Sequence, residues 1–297
     1  MSHTLLAVHA HPDDESSKGA GTLARYADEG IRTVVVTCTG GEAGEILNPA
    51  MDQPGNLERM PELRRQELAR ALEILNVEQH YFLGYRDSGM PDSEWNHHPD
   101  AFARADLDEA VGRLVGIIRR ERPQVLVTYD ESGGYPHPDH IRTHEVSVAA
   151  FDAAGDPDRY PEAGPPFQPM KLYYHASFSR RRIEALHRGA LERGIESPFG
   201  EWLRRWDGEV GGDFREPVVT TQVDVAKWMP QARGALIAHA TQIDPNGLWF
   251  AIPEEVVTQV YPWDDYTLVR SLVTTSNPEA DLFAAVDGDR PPRLAKR

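Results

Sequence analysis

Short apolar runs alternate with amphipathic segments through the first 180 residues of the chain. The apolar runs are rich in Val, Leu, Tyr and Thr and predict five strands, over residues 4–9, 33–39, 80–84, 125–129 and 172–175. The segments between them predict four helices, over residues 18–29, 60–75, 106–122 and 140–154. This β-α-β-α order predicts an α/β fold, Rossmann-like, with a mostly parallel sheet covered by helices on both faces.

Beyond residue 172 the pattern weakens. A helix over 179–193, a strand over 218–225 and a helix over 228–240 indicate a smaller C-terminal α+β portion. We therefore expect a Rossmann-like domain over 1–178, a C-terminal portion over 179–280 and a flexible tail over 281–297. Two stretches rich in Pro, Asp and Gly, 84–104 and 155–170, are predicted to be long loops, which in compact domains are usually functional or disordered.

The amino-acid composition argues against some classes of binding partner. The chain has 297 residues, 31 of them basic and 47 acidic, for a formal charge of −16. An acidic surface repels phosphate backbones and anionic lipid, so neither nucleic acid nor a membrane is an expected partner. Without a signal-peptide pattern or an apolar run of about 18 residues, a cytoplasmic location is expected. The oligomeric state is not predicted. The single Cys38 excludes an internal disulfide and is expected to be a buried, inert thiol.

The strongest chemical signal follows the first predicted strand, where the chain reads His9-Ala10-His11-Pro12-Asp13-Asp14-Glu15. Pro12 shapes a short turn, so that His11 and Asp14 can reach one ion. Either carboxylate alone has a simpler interpretation as a helix cap, because Asp is favoured at that position.

A second cluster, Tyr135-Pro136-His137-Pro138-Asp139-His140, follows the strand predicted over 125–129 and also precedes a helix. In a parallel sheet both loops lie at the same edge, so two ligands from the first can meet one from the second. Two imidazoles and a carboxylate are a normal catalytic zinc set, with a fourth position left open. Fe²⁺ tolerates the same ligands. Two such clusters are difficult to explain by capping alone.

Amide hydrolysis at such a site needs several further groups. A carboxylate that is not a ligand can act as general base, a leaving amine needs an acid, and the developing oxyanion needs a donor. His137 and Tyr135 are the local candidates for the last two tasks. Asp139 can orient an imidazole through a hydrogen bond.

The elements His-Pro-Asp-Asp at 11–14 and His-Pro-Asp-His at 137–140 resemble those of the LmbE-like or PIG-L-like deacetylase family, and the likeness extends to about residue 280. The resemblance implies a Zn²⁺ enzyme with His11, Asp14 and His140 as metal ligands and Asp13 as general base. It also implies that His137 is the acid or oxyanion histidine and Tyr135 a mobile active-site tyrosine.

Finer features are similar to the mycothiol S-conjugate amidase branch of that family. These are the strings HPDDESSKGA at 11–20, YDESGGYPHPDHIR at 129–142 and HATQIDP at 239–245. The resemblance implies that the substrate is contacted by the following residues: Lys18, Glu45, Arg64, Asp87, His239 and Gln242. Lys18 is expected in the first turn of a helix, held there for an acyl or carboxylate group. Ordinary surface charge remains the alternative for Lys18, Glu45 and Arg64.

The sequence leaves three candidate functions. The first is hydrolysis of the amide of a mycothiol S-conjugate, a sugar–thiol conjugate, which gives a mercapturic acid and glucosaminyl-inositol. A related amidase could act on mycothiol-bound intermediates in an antibiotic pathway. The second is deacetylation of N-acetyl-glucosaminyl-inositol in mycothiol biosynthesis. The third is a metal-dependent phosphoesterase or a noncatalytic sugar-binding module, which the acidic charge and the absence of a phosphate-cradling Gly-rich loop disfavour.

Overall fold

The structure, a computed structural model, describes residues 3–207 and 216–286. Within these ranges seven strands form one sheet. The strands are β1 Thr4–His9, β2 Arg32–Thr39, β3 Gln79–Tyr85, β4 Val125–Thr128, β5 Lys171–His175, β6 Thr221–Asp224 and β7 Trp263–Ser271. Their order across the sheet is β3-β2-β1-β4-β5-β7-β6. The first five are parallel, whereas β7 is antiparallel to both β5 and β6.

Nine α-helices connect or flank these strands in the described ranges. They are α1 Asp14–Ser17, α2 Ala20–Asp28, α3 Met60–Ile74, α4 Leu107–Glu121, α5 Pro138–Ala153, α6 Arg180–Leu191, α7 Gly200–Trp206, α8 Met229–Ala238 and α9 Glu254–Val260. The predicted α/β class with a mostly parallel sheet is confirmed. Among the described residues, no helix combines the length and the apolar character that a bilayer span requires.

The predicted helix over 18–29 is wrong at its start. Lys18 is extended (φ −138°, ψ 110°) and Gly19 has φ +76°, so the chain bends between α1 and α2. A side chain at Gly19 would be strained at that φ. It would also lie 2.7 Å from the Tyr266 hydroxyl. The bend therefore requires glycine, and it separates the α1 turn from the longer helix behind it.

Elements of the C-terminal portion were predicted least well. The predicted strand over 218–225 is the shorter β6, and α7, α9 and β7 were missed. β7 is half-exposed along most of its length and carries Asp264, Asp265 and Arg270, so its apolar alternation is weak. Because β6 and β7 extend the same sheet as β1 to β5, the division at residue 178 does not separate two sheets, and it remains a prediction.

Alternating side chains of β1 face two hydrophobic layers. Leu5 and Ala7 pack with residues of α2, α3 and α8, while Leu6 and Val8 pack with residues of α4 and α5. All four side chains are almost completely buried. Burial on both faces gives the continuous apolar run that parallel strands show. The rigid sheet that results holds the loops at its carboxyl edge in place.

The first residues of the tail predicted over 281–297 pack against the rest of the chain. Leu282, Phe283 and Val286 are buried in the layer that contains α2. The Tyr26 hydroxyl donates to Asp281 Oδ1 at 2.8 Å and accepts from the Leu282 N–H at 2.9 Å. The chain is thus anchored through residue 286, and the remainder of the predicted tail lies outside the described residues.

The strand order reverses at β1. From β1 the chain proceeds to β2 on one side and later returns to β4 on the other. Such a switch point leaves a crevice at the carboxyl ends of the two strands, which is where ligands bind in open α/β sheets. The loop from β1 to α1 and the loop from β4 to α5 both enter this crevice.

Candidate metal centre and catalytic site

The loops after β1 and β4 bring together the predicted ligand trio of His11, Asp14 and His140. One oxygen of the Asp14 carboxylate, Oδ2, lies 3.3 Å from His140 Nε2 and 3.6 Å from His11 Nδ1. All three side chains are buried, and each offers a ligand atom within 4.8 Å of the others. This cluster could hold a metal ion.

The orientation of His140 supports that interpretation. Its Nδ1 lies 2.9 Å from the Gly133 carbonyl oxygen, which only accepts, so Nδ1 carries the proton and Nε2 carries the lone pair. Nε2 has no hydrogen-bond partner among the described residues, yet it faces the Asp14 carboxylate. A buried lone pair facing a carboxylate is unfavourable unless a cation lies between them. The donor set therefore fits a metal.

His11 is oriented from its other side. Its Nε2 lies 3.2 Å from Asp139 Oδ2, and that carboxylate also accepts from the Ser88 N–H at 2.9 Å and from the Ser88 hydroxyl. With its Nε2 proton held by Asp139, His11 presents Nδ1 to Asp14. Asp139 was expected to orient an imidazole; in the structure that imidazole is His11. Ser88, which holds Asp139, was missed because a serine in a long loop carries no sequence signal.

A second group of potential ligands lies beside the trio, consisting of His11, Asp87, His137 and Asp139. Its carboxylates already have partners: Asp87 accepts from the Gly89 N–H at 2.8 Å and Asp139 from Ser88. The trio, by contrast, contains the unpartnered His140 nitrogen. The trio is therefore the better candidate of the two for a metal site. Two further histidines in the loop after β3, His97 and His98, belong to neither group among the described residues.

Asp13 lies next to the trio without belonging to it. Its backbone has φ 127°, a conformation that non-glycine residues rarely adopt, and its side chain is 23% exposed. Arg64 Nη2 donates to Asp13 Oδ2 at 2.9 Å. Burial raises the pKa of Asp13, and the Arg64 guanidinium opposes that rise. A carboxylate with this pKa shift, beside the metal position and open to solvent, is suited to accept a proton.

The Asp14 carboxylate is held in its ionised form. Lys18 Nζ donates to Asp14 Oδ1 at 2.7 Å, while Oδ2 faces the two histidines. Burial favours the neutral acid, but the positive charge of His140 when that ring is protonated, together with Lys18, outweighs it and holds the pKa of Asp14 well below its usual range. Lys18, expected in the first turn of a helix and free for substrate, instead follows the end of α1 and has its ammonium occupied by Asp14 and Ser17.

The other residues predicted to contact substrate differ in how deeply they are buried below the protein surface. Arg64 is buried and donates to the carbonyls of Pro12 and Gly41 as well as to Asp13. Asp87 is also buried, 3.5 Å from His11 Nε2. Glu45 is exposed, and its backbone carbonyl accepts from Gln242 Nε2 at 2.9 Å. The structure thus places Arg64 and Asp87 beside the trio, and Glu45 with Gln242 nearer the surface.

His137 and Tyr135 extend the site outward from the trio. The His137 ring packs edge-on against His11, with ring centroids 4.5 Å apart. Its Nδ1 accepts the Asp139 backbone N–H at 3.1 Å, so Nε2 carries the proton of the neutral ring. Burial lowers the pKa of His137 to about 3. Tyr135 is 40% exposed, and its ring lies 4.5 Å from that of His140.

Glu15 and His239 form a buried pair behind Asp13. His239 Nε2 lies 2.7 Å from Glu15 Oε1, and Glu15 Oε2 accepts the Asp13 backbone N–H at 3.0 Å. Burial works against the charge on Glu15, but His239 lowers the pKa of Glu15 to about 2. His239 was expected to contact substrate; the structure places its Nε2 against Glu15 instead. Glu15 was not assigned a role from sequence, although its place directly after the Asp13-Asp14 pair was the available signal.

The paired glycines before Tyr135 allow a matched test of the trio. Gly133 and Gly134 both have φ +74°, so alanine introduces comparable backbone strain at either position. A Cβ at Gly133 would lie 2.6 Å from His140 Cβ, whereas a Cβ at Gly134 meets nothing within 4 Å. We expect Gly133→Ala to weaken metal affinity about 10- to 100-fold, as loss of a ligand's support does, and Gly134→Ala to leave it nearly unchanged. Metal titration against a competing chelator measures both; equal affinities would show that Gly133 does not position His140.

Comparisons with known proteins identify relatives of this chain. Residues 6–151 match the family model described as PIG-L, GlcNAc-PI de-N-acetylase. The chain is 51% identical over 287 residues, 95% of its length and 97% of the relative's, to the mycothiol S-conjugate amidase of Streptomyces coelicolor. It is 42% identical over 289 residues, again 95% and 97% of the two chains, to the 1D-myo-inositol 2-acetamido-2-deoxy-alpha-D-glucopyranoside deacetylase of Streptomyces avermitilis.

Solved structures show the same fold at lower sequence identity. The N,N'-diacetylchitobiose deacetylase of Pyrococcus horikoshii superposes with a TM-score of 0.60 at 18% identity, covering 93% of this chain and 87% of that one. The conserved protein TT1542 of Thermus thermophilus gives a TM-score of 0.59 at 22% identity, covering 91% and 96%. The match to the family model and the 51% and 42% identity to full-length relatives establish that the chain belongs to the PIG-L/LmbE family of enzymes that hydrolyse amide bonds.

Proposed function

We propose that this enzyme is a zinc-dependent amidase that cleaves mycothiol S-conjugates into a mercapturic acid and glucosaminyl-inositol. The observation that carries the proposal is the 51% identity, across almost the whole chain, to a protein named for that activity. Relatives named as deacetylases of the acetylated sugar are 42% identical over a similar length. The geometry of the site suits the amide hydrolysis that both reactions share.

His11, Asp14 and His140 are the proposed metal ligands. Two imidazole nitrogens and one carboxylate oxygen form a normal catalytic zinc set, although Fe²⁺ accepts the same donors. A divalent ion held there supplies a Lewis acid that polarises the amide carbonyl and makes water more acidic. Asp139 and Gly133 orient the two imidazoles, so the ligand atoms are arranged before any ion binds.

Asp13 is the proposed general base. Asp14 is committed to the ligand set and to Lys18, whereas the Asp13 side chain is partly open to solvent. Asp13 takes the proton of the attacking water and can pass it on to the leaving amine. Arg64 keeps the carboxylate in place through its hydrogen bond, and Glu15 holds the Asp13 backbone N–H.

His137 is proposed to donate its Nε2 proton, as a hydrogen bond, to the oxyanion that develops on the amide carbonyl. Its neutral form, with Nδ1 occupied by a backbone N–H, presents Nε2–H as the donor. Tyr135 at the mouth of the site can add a second donor, since burial raises the pKa of its hydroxyl and keeps it protonated.

The polar half of the substrate is proposed to lie against Glu45, Arg64 and Asp87, where carboxylates accept from sugar hydroxyls and a guanidinium donates. Gln242 supports this side through its bond to the Glu45 carbonyl. Lys18 is proposed to act through Asp14, which it contacts directly, and His239 through Glu15. We propose a small-molecule sugar–thiol conjugate as substrate and a cytoplasmic location, and the net charge of −16 disfavours a nucleic-acid partner.

Two other reactions that also hydrolyse an amide are the alternatives. The first is N-acetyl-glucosaminyl-inositol deacetylation, which the 42% identical relatives support by name. The second is cleavage of mycothiol-bound intermediates in an antibiotic pathway. Both use the same trio and Asp13, so the active-site geometry does not separate them from the amidase.

Product analysis separates the first two activities. We expect the zinc-loaded enzyme to release an S-substituted N-acetylcysteine from a mycothiol S-conjugate with a kcat/KM at least about tenfold above that for acetate release from N-acetyl-glucosaminyl-inositol. Mass spectrometry of both reactions with one enzyme preparation measures the ratio. A ratio reversed in favour of acetate would replace the proposal by the deacetylase.

A further inference from the structure

A cavity of about 190 Å³ lies between α1, α2 and the helices of the C-terminal portion. Most of its wall is apolar and much of it is aromatic, and the residues that matter here are Phe178, Ile183, Phe199, Trp202, Leu236 and Trp249. We call it the apolar pocket. An engineered cavity of about 150 Å³ accepts a benzene molecule, so this volume is sufficient for an aromatic group.

The rings of the apolar pocket are arranged to receive another ring. Phe178 lies at the centre, with its ring centroid 5.8 Å from that of Trp202 and 6.2 Å from that of Trp249. Phe199 meets Trp202 edge-on at 5.9 Å. Aromatic groups prefer such tilted and edge-on contacts over face-to-face stacking. An aromatic ligand would continue the arrangement.

The charged groups at the wall already have partners within the protein. Asp264 accepts from both the N–H and the hydroxyl of Thr22 at 2.9 Å. Arg182 donates to the Trp263 carbonyl at 2.7 Å, and Arg233 lies 3.4 Å from a carboxylate oxygen of Glu254. A charged ligand would have to compete with these partners. The apolar pocket therefore favours a neutral, apolar occupant.

The apolar pocket shares a wall with the metal centre. Ser16 and Ser17 line it, and both belong to α1, whose first residue is the ligand Asp14. The Ser17 hydroxyl accepts from Lys18 Nζ at 3.0 Å, and the same Nζ donates to Asp14 at 2.7 Å. Ser16 and Ser17 follow Asp14 by two and three residues, so the lining of the apolar pocket begins within one helical turn, about 5.4 Å, of Asp14 along α1. A substituent a few bonds from the scissile carbonyl is long enough to cover one such turn.

We infer that the apolar pocket binds the apolar, above all aromatic, substituent that the acyl half of the substrate carries on its sulfur. The inference rests on the proposed function and adds to it which conjugates the enzyme prefers. The polar sugar half has its partners at Glu45, Arg64 and Asp87, so the apolar end of the molecule belongs on the α1 side. The enzyme is then selective for hydrophobic thiol adducts.

The test compares an S-benzyl with an S-methyl conjugate of the same thiol. In Phe178→Ala we expect the ratio of kcat/KM values, benzyl over methyl, to fall roughly tenfold, the change that about 1.4 kcal/mol of binding produces. Phe82→Ala removes an equally large ring from β3, at the far edge of the sheet, where Phe82 is 39% exposed. That control should keep the ratio of the unaltered enzyme.

A second variant and a binding measurement complete the test. Ala232→Phe adds a ring at the wall and should exclude the benzyl group more than the methyl group, so it tests the inference even if Phe178→Ala does not fold. N-acetyl-S-benzylcysteine, which contains no sugar, should quench tryptophan fluorescence in the unaltered enzyme and bind more weakly to Phe178→Ala.

The outcomes separate this inference from the proposed function. If both conjugates are cleaved but neither variant changes the benzyl-to-methyl ratio, the apolar pocket is not the substituent site and the amidase proposal stands. If no conjugate is cleaved, while N-acetyl-S-benzylcysteine binds and Phe178→Ala weakens that binding, the proposed function fails and the assignment of the apolar pocket survives.

Discussion

Asp13→Asn is expected to lower kcat by a factor of about 10²–10⁴, the usual contribution of a general base, while metal content stays unchanged. Asparagine keeps the size of the side chain and can still accept from Arg64, but it cannot take a proton from water. It also tolerates the positive φ of 127° at this position better than most residues. Steady-state kinetics of enzyme reconstituted with one equivalent of zinc, with metal content measured in parallel, tests the expectation.

A matched control for Asp13→Asn is Asp158→Asn, which makes the same change at an exposed position in the loop after α5. It should keep both kcat and metal content. If Asp13→Asn retains kcat within about threefold of the unaltered enzyme at full metal occupancy, Asp13 is not the base. If instead Asp13→Asn loses its metal, the carboxylate is a ligand and the assignment of Asp14 alone to that role is wrong.

His140→Ala is expected to abolish stoichiometric zinc binding and, with it, amide hydrolysis. Loss of a group that only supports a ligand weakens metal binding about 10- to 100-fold. Loss of the ligand itself should exceed that range, because the remaining His11 and Asp14 provide only two donor atoms. Metal analysis after dialysis and the thermal midpoint with and without zinc provide two readouts, since a ligand bound to the native state raises stability.

His144→Ala is the control for that experiment. His144 lies on the same helix α5, four residues after His140, and its Nδ1 lies 3.0 Å from the Tyr129 carbonyl. It belongs to neither group of potential ligands. We expect His144→Ala to bind zinc stoichiometrically. Stoichiometric zinc in His140→Ala would move the metal toward the neighbouring group that contains Asp87 and His137.

The local pattern of apolar and polar residues predicted much of the fold within residues 1–178. β1 was predicted residue for residue, and β4 and β5 within one residue at each end, because buried parallel strands are continuous apolar runs with sharp ends. β7 was missed, since an antiparallel strand with half-exposed, charged positions resembles a loop. The packing of Leu282 and Phe283 was missed as well, because a short apolar segment near a chain end gives no sign of what it will contact.

For the candidate site, too, some features could be predicted from the sequence and others only from the tertiary structure. By its own residue pattern, together with the family resemblance, the sequence determined which side chains form the candidate metal site, because His11 and Asp14 are neighbours on one turn and the second motif follows another parallel strand. The tertiary structure alone decided how those side chains are used. Asp139 holds His11, Lys18 binds Asp14 and His239 binds Glu15 through contacts that join residues as far as 224 positions apart. A sequence motif records the chemical type and the spacing of its residues. The partner that satisfies a buried charge depends instead on which loops the folded sheet brings together.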